Sequence, residues 1–351
     1  MEHNLSLPSS FKLRVNNHNR PMKRSILIIP QFLISAGILY YLFTLVPISH
    51  IFEVLRSSKL EFLVMALVVT ALSKCTEAYR MKIITDGLGM GIATGRIFQI
   101  NLAAVFYELF LPSYVTGGAV KWYKLSQSNK KRAEAFAAIA LNRIINLIML
   151  ILVGTIFWTL SEKTQWASIS SLVLVIFLGL VLLVYTILIK NPVFEILSRL
   201  FEANRLRVIP NSIQLKLTKV TRAFGHFQSL TYPVKLQILG TGLLQNLFGA
   251  LILFLFIHSL EISLSFIDIA WIHPCEVLVT MLPISVAGLG VREGSLAVLL
   301  SPFGVTLEKV LALSFLIFMI RIFWGVIGGI IEGGSFLGKT SKSNISKQAP
   351  I

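Results

Sequence analysis

The sequence predicts an all-α integral membrane protein, and three observations carry that prediction. Apolar residues make up 55% of the 351 residues and the mean hydropathy is +0.78, well outside the range of a soluble domain. Those residues fall into runs long enough to cross a bilayer. The 32 Lys and Arg, set against 16 Asp and Glu for a net charge of +16, lie mainly between the runs. Such placement fits orientation in a membrane and attraction to anionic lipid, and it argues against nucleic acid as a partner.

Taken in order, residues 1–25 form a basic tail. Ile26 to Val46 follows, 21 residues or about 31 Å of helix, enough for a first span. No small-residue cleavage pattern comes after it, so a retained signal anchor is expected. Pro47 to Lys59 is a loop, Leu60 to Tyr79 a second span, and Arg80 with Lys82 a basic patch at its end. Gly87, Gly89, Gly91 and Gly95 mark a turn. Ile97 to Phe110 is apolar for only 14 residues before Pro112, too short to cross, which predicts a re-entrant hairpin.

Glu134 to Leu160 and Ala167 to Ile189 are full crossings joined by a short polar loop. In the basic connection from Lys190 to Pro233, Ile213, Leu217, Val220, Phe224 and Phe227 recur at helical spacing opposite Lys216, Lys219 and Arg222. That pattern predicts an amphipathic helix, either in the membrane interface or packed on the rest of the protein. Val234 to Leu260 crosses again, Ser263 to Pro283 with Ser295 to Leu300 forms a second broken element, and Val310 to Ile331 is the last crossing. Its Gly325, Gly329 and Gly333 permit close helix approach, inside the monomer or at a dimer seam. The expected organisation is six full spans and two broken hairpins within residues 26–337, in halves of about 26–189 and 190–337, with a tail at 338–351.

The two broken elements carry the same words. LPSYVTGGAVK from Leu111 to Lys121 and LPISVAGLGVR from Leu282 to Arg292 share LPxxVxGxxV followed by a cation. Pro and Gly break a membrane helix and leave backbone groups that need partners. With an amino terminus in the cytoplasm, 24 Lys and Arg fall in inside segments and four outside, at Arg56, Lys59, Lys163 and Lys309. The bias places both termini inside. Three crossings separate the hairpins, so they would enter from opposite sides as an inverted repeat of the kind that supports alternating access.

Four cations, Lys74, Arg143, Arg292 and Arg321, fall within membrane stretches, where a charge costs at least about 2.5 kcal/mol on insertion scales. Arg292 leads the candidates for substrate contact, because Gly288 and Gly290 let backbone amides approach a ligand and a guanidinium can grip a phosphate by two hydrogen bonds. Its alternative is a structural pair with Glu293. Lys121, beside Gly117 and Gly118, is the matching cation of the first copy, placed either at the site or at the cytoplasmic mouth. Arg143, one turn from Asn146, predicts a polar stripe toward the bundle interior, and Arg321 lies one turn from Trp324 in the last span. Either cation would line a substrate path or bridge helices. Glu108, Glu276 and Glu293 are the acids able to pair with these cations or carry a coupling proton.

Neither metal nor cofactor is expected. Cys75 and Cys275 lie far apart, and His273, Glu276 and His258 leave a ligand set incomplete. No nucleophile elbow, HExxH, P-loop or acidic metal cluster occurs.

At LPSYVTGGAVKWY, the LNRI of the following span and PISVAGLGVREGSLAVLL, the chain resembles flippase-like proteins related to the transmembrane region of lysylphosphatidylglycerol synthase, also the amino-terminal domain of multiple peptide resistance factors. The resemblance runs over roughly residues 22–337. Where the family's first motif commonly has an acidic residue and Arg, this chain has Ala119 and Lys121, and Asn142 stands where an acid commonly precedes Arg143. Arg292 and Glu293 are therefore the safer carry-over. The resemblance implies movement of a lipid with a charged or glycosylated head group between leaflets. It does not imply synthesis, since aminoacyl transfer belongs to a separate soluble domain for which residues 338–351 leave no room.

The function expected is thus a flippase or related transporter in the cell membrane, moving a phosphate-bearing lipid, aminoacylated and glycosylated forms included. The alternative is an intramembrane enzyme or accessory factor of lipid-linked glycan synthesis. Expected partners are anionic or polyprenyl-phosphate lipids, a second copy of the chain, or an enzyme of lipid or glycan synthesis.

Overall fold

The computed structural model describes residues 48–110, 114–129, 131–162, 230–282 and 288–346, with a few isolated positions besides. The expected first span, the Ala167 to Ile189 crossing and the amphipathic helix around Ile213 to Phe227 lie outside the described residues.

Among the described residues nine α-helices and no strands occur: α1 Ile48–Arg56, α2 Leu60–Gly87, α3 Thr94–Phe110, α4 Tyr114–Asn129, α5 Arg132–Leu160, α6 Tyr232–Ser259, α7 Phe266–Thr280, α8 Val291–Leu300 and α9 Leu307–Ser346. A 3-10 turn, Ser301–Phe303, joins the last two. Four of the helices, Leu60–Gly87, Arg132–Leu160, Tyr232–Ser259 and Leu307–Gly334, are long and apolar enough to cross a membrane. This is a multi-pass membrane protein.

Local chemistry sets the boundaries. Gly89 and Gly91, at φ +66° and +59°, stop α2 by turning the chain left-handed, which a side chain would resist. The span expected to end near Tyr79, at the basic patch of Arg80 and Lys82, therefore runs further. α2 continues to Gly87, and Arg80 is 1% exposed inside the bundle. Pro233 opens α6, where a missing N–H costs nothing. Ser265 caps α7, accepting from the Asp268 N–H at 3.1 Å.

Two short hairpins interrupt the long helices. Neither α3 and α4, at 17 and 16 residues, nor α7 and α8, at 15 and 10, reaches the roughly 20 residues a crossing needs. At one end of the bundle, Lys131 Nζ donates to the Gly89 carbonyl at 2.7 Å and Trp122 Nε1 to the Arg132 carbonyl at 2.9 Å. There α2 ends, α3 begins, α4 ends and α5 begins. The other end gathers different loops. The Lys59 N–H donates to the Ser259 carbonyl at 2.9 Å, and Ser161 Oγ donates to Asp268 Oδ1 at 2.6 Å. Hence α3–α4 leaves from and returns to one end, and α7–α8 does the same at the opposite end.

Helix packing repeats between the halves. α2 packs on α6, α3 on α9 as α7 does on α5, α2 on α3 as α6 on α7, and α4 on α5 as α8 on α9. Glycines permit the closest of these approaches. A Cβ on Gly328 would strike the Leu102 carbonyl of α3, and Gly325 and Gly329 rest against Leu109 and Phe106. Gly333, expected to share this face, meets nothing within 4 Å, and Gly328 takes its place. On the other side Gly154 of α5 receives Pro274 of α7, and Gly249 of α6 receives His273. Val64, Val68 and Leu72 of α2 and Val326 and Ile330 of α9 are exposed, the outward apolar faces that lipid covers.

Candidate functional site

Charged side chains collect in two places, one for each hairpin, and the arrangements differ. The first is centred on α2. Lys74, Glu77 and Arg80 stand three residues apart, and on a helix that spacing puts them along one face. Lys121 reaches from α4 to Glu77 Oε1 at 2.7 Å, while Lys74 lies 3.8 Å from Glu77 Oε2. Arg80 donates from Nε to Asn142 Oδ1 of α5 at 2.8 Å and from Nη2 to Asn146 Oδ1 at 3.5 Å. Asn246 of α6 closes the group, donating to the Gly242 carbonyl at 2.9 Å and toward Asn146. Arg80 Nη1 is buried with no acceptor among the described residues.

This cluster continues into the second half of the chain. Gly117 lies one turn before Lys121 on α4, and the Glu108 carboxylate of α3 occupies the space where a Cβ at Gly117 would be. Glu108 accepts from Arg321 Nη2 of α9 at 3.1 Å. A polar lane therefore runs Arg80, Glu77, Lys121, Glu108, Arg321 across α2, α4, α3 and α9. Beyond it Lys124 Nζ binds both Glu332 carboxylate oxygens, at 2.6 and 2.7 Å.

The second place is closed on itself. Arg292 donates from Nε to Ser314 Oγ at 2.7 Å and from Nη2 to Glu293 Oε1 at 3.0 Å. Ser314 in turn donates to Glu293 Oε1 in a short hydrogen bond. Glu293 Oε2 accepts the Gly290 N–H at 2.6 Å. Arg292 and Glu293 are each 5% exposed and Ser314 is 1%. Glu276 of α7, also buried, faces both charges.

The expected site residues thus divide. Lys121, Gly117, Glu108 and Arg321 come together, and Arg292, Glu293, Gly290 and Glu276 come together elsewhere. Arg292 takes the structural pairing with Glu293, and the Gly290 amide expected to face a ligand is already bonded to that carboxylate. Gly288 serves the turn, at φ +80°, with its carbonyl accepting the Arg292 N–H at 2.9 Å. Gly118 has nothing within 4 Å of where its Cβ would be. Arg143 departs from expectation. It is exposed on α5, and the inward stripe is Asn142 and Asn146, because a four-residue step keeps those two on one face and turns the residue between outward.

Glu77, Arg80 and Ser314 were not among the expected site residues. The i, i+3, i+6 spacing of Lys74, Glu77 and Arg80 in an apolar run was the available signal, hidden by ending the span at Tyr79. Ser314 has none, since a lone serine in a membrane helix commonly bonds its own backbone. No group of three or more His, Cys, Asp or Glu able to hold a metal occurs among the described residues.

Among curated proteins, none matches the chain. Residues 28–329 match the family described as the lysylphosphatidylglycerol synthase TM region, a stretch that contains both hairpins and every residue of both charged clusters except Glu332. On that match, which covers well over half of its length, the chain belongs to the lysylphosphatidylglycerol synthase TM region family.

Proposed function

We propose that this protein is a lipid transporter that moves a phosphate-bearing lipid between leaflets by alternating access. The observation that carries the proposal is the polar lane from Arg80 to Arg321, which joins helices of both halves within a bundle otherwise faced with apolar side chains. A head group can exchange its water for these charges while the acyl chains stay in lipid. Hairpins entering from opposite ends, with packing relations that repeat between halves, support an inverted repeat. With Arg80 and Lys121 taken into the bundle, the bias of 22 cations against four still supports a cytoplasmic side for the end where α2 and α4 finish, and cytoplasmic termini in the cell membrane.

In this mechanism Lys121 is the contact residue. It is bound to Glu77 in the structure and would trade that carboxylate for a phosphate. Arg292 and Glu293 hold the second hairpin in shape, so their part is positioning.

Reconstitution into liposomes with a fluorescent phospholipid in one leaflet tests the proposal. Leaflet exchange at constant lipid mass is expected, and Lys121→Gln should slow it by at least about tenfold, the worth of one charge-assisted hydrogen bond. Full exchange by a folded Lys121→Gln protein would remove Lys121 from the mechanism. A changed lipid mass would favour the intramembrane enzyme instead.

A further inference from the structure

We infer that the cluster around Arg80 selects a net-anionic head group, a phosphate monoester or diphosphate carrying no amine, over zwitterionic and cationic head groups. The inference rests on the transporter reading only for the route by which a lipid arrives. Its own ground is charge and hydrogen bonding.

Among the described residues three cations, Lys74, Arg80 and Lys121, meet a single carboxylate, Glu77, which leaves an excess of two positive charges. Neighbouring Asn142, Asn146 and Asn246 supply amides and no charge. Among the described residues the other acid near Lys121 is Glu108, and Arg321 already answers it at 3.1 Å. The excess therefore stands in a low-dielectric interior, where a like charge is repelled far more strongly than in water.

Donor capacity points the same way. Arg80 is 1% exposed and its Nη1 has no acceptor among the described residues, an arrangement that costs free energy until an acceptor arrives. Gly242 faces it. A Cβ there would come within 3.3 Å of Nη1, in a space that the Met149 and Ile145 side chains also border. Lys74 and Lys121 keep 24% and 20% of their side chains exposed and are the reachable front of the site, with Arg80 behind. A dianionic phosphate cancels the excess and accepts from all three. An aminoacyl or choline group would instead bring a cation against Lys74 and Lys121. The second cluster has no such surplus, because Arg292 and Glu293 cancel and Glu276 adds an acid.

Calorimetric titration of the full chain in detergent with short-chain phosphatidic acid, phosphatidylcholine and an aminoacylated phosphatidylglycerol tests the selectivity. Phosphatidic acid should bind at least about tenfold more tightly than the other two. Lys74→Gln, at the least buried of the three cluster cations, should shrink that preference, Arg80→Gln should abolish it, and Lys59→Gln at the other end should leave it intact. Equal affinity for the three lipids, or an unaltered preference in a folded Lys74→Gln protein, would overturn the inference, and so would inorganic phosphate displacing the lipid at equal affinity, since free phosphate would then be the occupant. Leaflet exchange is measured separately. Selective binding without exchange would refute transport and sustain the selectivity, whereas exchange without selectivity would do the reverse.

Discussion

The two hairpins share the pattern LPxxVxGxxV with a following cation, yet they use its glycine and its charge in different ways. In the first, α4 starts at Tyr114, two residues after Pro112, so Gly117 is helical and its bare face admits the Glu108 carboxylate. Lys121, one turn on, reaches across to α2. In the second, the chain turns left-handed at Gly288 and Gly290 before α8 begins at Val291. Arg292 then lies in the first turn and folds back on Glu293 and Ser314. The motif is shared, but where the helix starts decides whether its cation points to a partner helix or into its own turn. One hairpin is left with surplus positive charge, and the other has none and is locked.

The sharpest way to break this contrast is to unlock the second hairpin. Glu293→Ala strands a buried guanidinium and frees the Gly290 amide, which should cost about 3 to 5 kcal/mol and appear as a large drop in the thermal midpoint of detergent-solubilised protein. A drop no greater than that of Lys121→Ala would mean the two sites are not so different. Next in size is Gly328→Ala, which sets a methyl against the Leu102 backbone carbonyl and should cost about 2 to 3 kcal/mol by the same measurement.

Gly117→Ala should be milder, about 1 kcal/mol, because the Glu108 side chain can swing away at the expense of its bond to Arg321. Adding Glu108→Ala should make the extra methyl at position 117 harmless in a double-mutant cycle, whereas additive losses would put Glu108 elsewhere. The smallest effect is expected at Lys124, whose pairing with Glu332 ties α4 to α9 at partly exposed positions. Lys124→Ala should cost up to about 1 kcal/mol and less at high salt.

Much of the architecture was legible from residue order. The crossings at Glu134 to Leu160, Val234 to Leu260 and Val310 to Ile331 match α5, α6 and the apolar part of α9 within a few residues, and both broken elements occur where Pro112 and Pro283 interrupt apolar runs. The candidate site was legible only in part. Arg321 was identifiable as a charge in a membrane stretch, Glu108 as an acid beside a broken element and Lys121 as the cation of the repeated motif, but nothing in their spacing says that they meet, since 213 residues separate Glu108 from Arg321. Arg80 was hidden because a cation after an apolar run reads as an interface anchor.

Hydropathy and helix-breaking residues determine by themselves that this chain spans a membrane and where its apolar runs break. Each of those follows from transfer free energies that depend on composition and order along the chain. Which charge faces which is a different quantity. It depends on the rotation of each helix about its axis and on how closely α3 and α9 approach, set here by Gly325, Gly328 and Gly329. Only the tertiary structure decided that Arg143 turns outward, that Arg80 turns in, and that Lys121 has an acid on another helix while Arg292 has its acid next door, because ion pairing is fixed by distances that packing alone creates.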